Sequence, residues 1–79
     1  MSNYEKYVEV FKSSFDLESE SLEDLEYQGI SSWDSVGHMA LIAALEDAFG
    51  IMMETDDIID FSSFKKGMEI LSTKYDIQF

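Results

Sequence analysis

Cysteine and proline are both missing from this chain of 79 residues, and histidine occurs once. Without cysteine, no disulfide or thiolate zinc site holds the fold, and the chain has no thiol of its own. That absence fits a reducing compartment. No apolar run approaches the roughly 20 residues of a membrane span. The start, Met1-Ser2-Asn3-Tyr4-Glu5-Lys6, lacks the basic region and apolar block of a signal peptide, so the expected location is cytoplasmic. Basic residues are scarce as well: five Lys and Arg stand against 17 Asp and Glu, a formal net charge of −12. Such a chain repels nucleic-acid phosphates and anionic membranes. Basic protein surfaces are its natural partners, approached under electrostatic steering.

What is present is an apolar share of 46%, enough to build the core of one small domain, 1–79. No low-complexity tract or internal repeat divides it. Tyr4, Tyr7, Val8, Phe11 and Phe15 recur at three and four residues and predict a helix over Ser2 to Phe15, capped by Ser2 or Asn3. The stretch from Asp16 to Asp34 is polar, with scattered Leu17, Leu22, Leu25, Tyr27 and Ile30 that pin it across the helices. One short turn falls around Ser21 to Leu25, and Gly29 supplies a tight bend. A second helix spans Ser35 to Phe49, with Asp34 or Ser35 as cap and Gly50 just beyond.

Thr55 to Asp60 reads as a capped short helix with acids in its first turn. Ser62 or Ser63 caps a last helix whose buried face is Phe64, Met68, Leu71 and Tyr75, with Lys65 and Glu69 paired on the exposed side. The expected fold is all-α: a small four-helix bundle of three longer helices and one short one.

The second helix carries more apolar surface than one buried face needs. Leu41, Leu45, Ala48 and Phe49 form a core stripe, and Val36, Met39, Ala40 and Ala43 form another beside it. Either the helix is buried on two sides or the second stripe meets a partner. Glu46 and Asp47 sit at the dipole's unfavourable end, which hints at another purpose for those charges. At the opposite end, Ser35 follows Asp34 at the helix N-terminus. There the free N–H groups and the dipole favour an anion such as a phosphate ester.

The segment Asp34-Ser35-Val36 resembles the attachment helix of acyl carrier proteins. It is followed by Leu41, Leu45-Glu46, Phe49, Met53, an acidic short helix and Ser62-Ser63-Phe64. The likeness extends over nearly the whole chain in length, helix order and acidity. It implies a non-enzymatic, monomeric carrier. Ser35 would bear 4′-phosphopantetheine derived from coenzyme A, and Asp34 would help a phosphopantetheinyl transferase recognise the site. By the same resemblance, Val36, Met39, Ala43, Met53 and Ile58 meet partner enzymes, and Glu46 and Asp47 meet basic partner residues. Those partners would be an acyl- or aminoacyl-loading ligase and a downstream transferase or synthase. Leu41, Leu45 and Phe61 match the core that an acyl chain enters.

Five positions depart from the family pattern. Ser32-Trp33 replaces the usual small or glycine-containing pair, Gly37 and Ala40 stand where fatty-acid-synthase carriers tend to have acids, and His38 is unusual. The departures suit a carrier dedicated to another pathway, such as amino acid activation, polyketide work or surface polysaccharide modification. D-alanyl carrier proteins share Asp-Ser-aliphatic-Gly.

Other readings need residues that the chain does not offer. Ser35 and His38 could be drawn as nucleophile and base, but no third member or strained elbow accompanies them, and His38 reads as a first-turn surface residue. Asp56, Asp57, Asp60 and Ser62 suggest calcium ligands, yet Phe61 occupies the position where the loop needs Gly, and no metal site is expected. Trp33 reads as an indole packed under the loop, and the methionines mostly as core filler. The alternative to a carrier is a non-enzymatic acidic helical protein-interaction module.

Overall fold

In the computed structural model, which describes residues 1–17 and 22–79, four helices follow in order: α1 (Asn3–Phe15), α2 (Ser35–Phe49), α3 (Thr55–Asp60) and α4 (Phe64–Lys74). The all-α expectation holds at this level. Among the described residues there is no strand, only an isolated bridge between Glu26 and Ser63. No helix among them is long and apolar enough to cross a membrane.

Each longer helix starts on a side chain that answers its free N–H groups. Ser2 caps α1: its hydroxyl accepts from Glu5 N–H at 3.1 Å, and the Glu5 carboxylate accepts from Ser2 N–H at 3.2 Å. These bonds hold the Glu5 carboxyl below its ordinary pKa. Asp34 caps α2 and Ser63 caps α4. α2 stops at Gly50, whose φ of 63° suits glycine and lets its N–H reach the Glu46 carbonyl. α3 has no side-chain cap; the Glu54 carbonyl accepts from Asp57 and Ile58 N–H.

α1 and α2 make the most extensive helix–helix contact, and the aromatic side chains of α1 fill the space behind it. Phe11 is the hub. Its ring lies 4.9 Å from Tyr7, 5.0 Å from Phe64, 5.5 Å from Trp33 and 5.9 Å from Phe15. Such pairs contribute about 0.5–1.5 kcal/mol each beyond the area they bury. The Tyr7 hydroxyl donates to the Phe64 carbonyl at 2.7 Å, tying α1 to the start of α4, and burial raises its pKa.

The buried faces are rotated from those the spacing predicts. In α1, Val10 is buried while Tyr4 is exposed and Val8 half-buried. In α4, Gly67 and Ile70 join Phe64 and Leu71 inside, and Met68 and Tyr75 are only half-buried. The reason is the aromatic layer: a Cβ at Gly67 would strike the rings of Phe61 and Tyr7, so α4 turns its smallest residue toward them. The exposed ion pair of α4 is Lys66 with Glu69 at 3.7 Å, not Lys65 with Glu69.

The chain before α2 is pinned by most of the expected side chains. Leu22 is buried, and Leu17, Leu25 and Ile30 pack on the core, whereas Tyr27 is exposed. Leu25 N–H bonds to the Leu22 carbonyl at 3.0 Å in a short turn; Ser21, the expected start of that turn, lies outside the described residues. Tyr27 N–H donates to the Ser62 carbonyl at 2.9 Å, and Phe64 N–H to the Leu25 carbonyl at 3.0 Å. These two bonds fasten the segment to the α3–α4 junction. At the bend, Gln28 takes the left-handed conformation with φ 65°, and a Cβ at Gly29 would lie tightly, at 3.0 Å, against the Glu26 carbonyl oxygen.

Candidate functional site

The first turn of α2 is shaped by three neighbouring constraints. The Asp34 carboxylate accepts from Gly37 N–H at 2.8 Å, and the Asp34 carbonyl accepts from His38 N–H at 2.7 Å. A Cβ at residue 37 would strike the Ser32 carbonyl oxygen, so Gly37 lets the preceding loop lie directly on the helix. That loop delivers Trp33 inward, where it is fully buried, stacked on Phe15 at 5.3 Å. Ser35, between them, is exposed as the first residue of α2.

His38 is not a surface residue. It is half-buried, and the Trp33 indole N–H donates to its Nδ1 at 2.9 Å. Nδ1 is therefore the acceptor, the ring proton sits on Nε2, and Nε2–H donates to the Ile58 carbonyl of α3 at 2.8 Å. Tyr27, Trp33 and Phe61 surround the imidazole, with ring centroids at 5.3, 6.2 and 6.1 Å. Both ring nitrogens are engaged, which leaves neither to act as a base on Ser35.

Beside Ser35, α2 and α3 enclose an open, mainly apolar groove of about 370 Å³. Ser35, His38 and Met39 form the α2 wall, Ile58 and Ile59 the α3 wall, and Tyr27, Phe61 and Ser62 the remainder. The groove opens onto an apolar face: Val36 is 78% exposed, Met39 55% and Ile59 71%, with Ala40 and Ala43 exposed alongside. The second stripe of α2 thus faces solvent. Ile59 belongs to this face and carries no assignment from the sequence. Its signal is the Ile58-Ile59 pair on a short helix, where adjacent residues cannot both point inward.

The remaining predicted partner residues separate. Asp47 is exposed. Glu46 is half-buried, and its carboxylate accepts from Met53 N–H at 2.8 Å, so its charge serves the α2–α3 connection. Met53 is buried in the core at 5% exposure, and Ile58 is half-buried at the groove.

The acids of α3 also divide. Asp57 is buried and bonded across to α4: the Lys74 ammonium donates to Oδ1 and the Tyr75 hydroxyl to Oδ2, both at 2.6 Å. The Tyr75 oxygen also accepts from Glu54 N–H at 2.8 Å. The bonds from Lys74 and Tyr75 hold the Asp57 carboxyl below its ordinary pKa, and the bond to Asp57 raises that of Lys74. Burial, and then that same hydrogen bond, raises Tyr75. Asp57 thus does more than suit the helix dipole beside Asp56; its spacing to Lys74 and Tyr75 gives no local signal of the pairing. Among the described residues no three His, Cys, Asp or Glu side chains converge as metal ligands. Comparison with family models, with curated proteins and with solved structures finds no match to this chain.

Proposed function

We propose that the chain is an acyl or aminoacyl carrier protein, with Ser35 as the attachment residue for 4′-phosphopantetheine. The observation that carries this reading is the exposed Ser35 hydroxyl on the first turn of α2, at the rim of an apolar groove. The residues fit such a group. Ser35 Oγ is open to a transferase, and the α2 N-terminus stabilises a phosphodiester anion by about 0.3–1 kcal/mol. Asp34 keeps the turn that carries Ser35 in place through Gly37 N–H. When attached, the cofactor supplies the thiol that this cysteine-free chain lacks, and cargo is held on it as a thioester.

In this reading the chain catalyses nothing itself. Its partners are a phosphopantetheinyl transferase, an acyl- or aminoacyl-loading ligase and a downstream transferase or synthase, met in the cytoplasm by a monomer. The −12 charge speeds encounters with basic partners, and a modest apolar contact through Val36, Met39, Ala43 and Ile59 lets them end. The departures at Ser32-Trp33, Gly37 and His38 favour a dedicated pathway over housekeeping fatty acid synthesis.

The exposed apolar face by itself also supports a second reading, an acidic interaction module that needs no arm. Coenzyme A, Mg²⁺ and a broad-specificity phosphopantetheinyl transferase separate the two. The carrier gains one phosphopantetheine by intact mass, and Ser35→Ala gains none while keeping its helical circular dichroism. A wild-type chain left unmodified by several such transferases overturns the carrier reading.

A further inference from the structure

We propose that His38 is a positioning residue for the transfer of phosphopantetheine to Ser35. One ring nitrogen fixes the loop before Ser35, the other fixes α3, and the transferase docks on both. The proposal rests on the carrier reading and names what aligns the surface that the transferase meets.

Ser35 lies between two edges that come from distant parts of the chain. One is the loop Ser32–Asp34, with Ser32 and Asp34 exposed. The other is α3, where Ile59 stands exposed across the groove. An enzyme that covers the Ser35 hydroxyl meets both edges at once, so the spacing between them decides how well it docks. Neither edge is placed against the other by its own backbone. α3 has six residues and no side-chain cap, and Asp57 ties it to the end of α4, not to α2. The loop is braced from within, by Gln28 N–H on the Trp33 carbonyl at 2.8 Å and Trp33 N–H on the Ile30 carbonyl at 3.1 Å, but these bonds do not reach α3.

His38 supplies the missing connection. Three residues after Ser35, it stands on the same face of α2. Its Nδ1 accepts from the Trp33 indole N–H at 2.9 Å, and its Nε2–H donates to the Ile58 carbonyl at 2.8 Å. Phe11 and Phe15 also pack on the indole, but apolar contact is non-directional and fixes its setting less sharply than a hydrogen bond does. Trp33 is fully buried, so an indole N–H without an acceptor is costly, and the loop settles where His38 can meet it. Gly37 makes room for that setting, because a Cβ there would strike the Ser32 carbonyl oxygen. One imidazole thus sets the distance from the loop to α3 on either side of Ser35.

The test measures transfer from coenzyme A by a broad-specificity phosphopantetheinyl transferase, with the full chain as the varied substrate. It is run at a temperature where circular dichroism shows every variant fully folded, so that unfolding does not enter KM. His38→Ala is expected to raise KM at least about threefold, the scale of one net hydrogen bond, while kcat stays near wild type. His38→Gln, whose amide can accept from Trp33 and donate to Ile58, should recover most of that loss. His38→Leu, which fills the space without bonding, should not. Trp33→Phe removes the bond on the loop side and should also raise KM; combined with His38→Ala it should add nothing, because that bond is already gone. A His38→Ala KM that rises by less than about threefold, recovery by Leu equal to that by Gln, or additive losses in the double variant overturns the proposal while leaving the carrier reading standing. If His38→Ala does not fold, Trp33→Phe decides: a raised KM supports the proposal and an unchanged one overturns it. A wild-type chain that accepts no phosphopantetheine overturns the carrier reading, and this proposal with it.

Discussion

Along one side of α2, Leu41, Ile42 and Leu45 are sealed against α1 and the aromatic layer; along the other, Val36, Met39, Ala40 and Ala43 face solvent. Both stripes are apolar as sequence. What separates them is whether another part of the chain arrives to cover them. The aromatic residues of α1 cover the first. α3 is only six residues long and touches the helix start through the His38–Ile58 bond, leaving the second stripe open. Stability is therefore concentrated on one face, and the apolar surface on the other is free for a transient partner.

The sealed side should break most severely at Trp33. Trp33→Ala removes a fully buried indole that contacts Phe11, Phe15 and His38. Truncations of this kind cost about 3–5 kcal/mol, a large part of the roughly 5–15 kcal/mol that holds a domain folded. Urea denaturation followed by circular dichroism should show a midpoint far below wild type, or no folded baseline at all. A loss under about 1 kcal/mol would mean that the indole is not part of the sealed side.

A smaller effect tests how the far wall of the open side is held. Asp57 anchors α3 to α4, and the next residue, Ile58, offers the carbonyl that His38 grips. The Asp57 carboxyl titrates below its ordinary value, so its contribution to stability is present above the unfolded value of about 4 and is lost as pH falls through the folded value. Lys74 titrates above its ordinary value; its contribution is present below the unfolded value of about 10.4 and is lost as pH rises through the folded one. Asp57→Asn should lower the melting temperature at neutral pH, by less than Trp33→Ala does. Its profile should also be shallower than wild type below about pH 4 and above about pH 10. Parallel profiles for the two proteins in both windows would remove Asp57 as the anchor.

The helix ends are legible in the sequence because caps are local: Ser2, Asp34, Gly50 and Ser63 each sit within a few residues of the groups they satisfy. Helix orientation is less legible, since the inward face depends on what lies opposite. Gly67 turns inward because rings from α1 and the α3–α4 junction demand space. The position of Ser35 at a helix start follows from the motif, but the groove beside it does not, because its far wall comes from α3. Trp33, Gly37 and His38 stand out singly as departures from a family pattern. Their unity rests on a hydrogen bond across a loop bend, which periodicity does not register. Glu46 and Asp47 look like one acidic pair. One turn of the chain beyond Gly50 brings Met53 N–H to Glu46 alone.

The mildest change in stability should come from Met39→Glu, on the open side. The side chain is 55% exposed, so the added charge stays hydrated. Surface substitutions of this sort usually change stability by no more than about 0.5 kcal/mol. The melting temperature should therefore stay close to wild type. Transfer of phosphopantetheine to Ser35, or loading of cargo, should slow clearly, because a partner that covers Met39 would have to desolvate a carboxylate where it met a thioether. The loss should persist at high salt. An effect carried only by long-range repulsion or steering would be screened within about 10 Å at 0.1 M ionic strength, and this one acts by contact. Two results would contradict the division between the faces of α2. A collapsed melting transition would show that Met39 belongs to the sealed side. A variant that folds and reacts at the wild-type rate would show that no partner covers the open one.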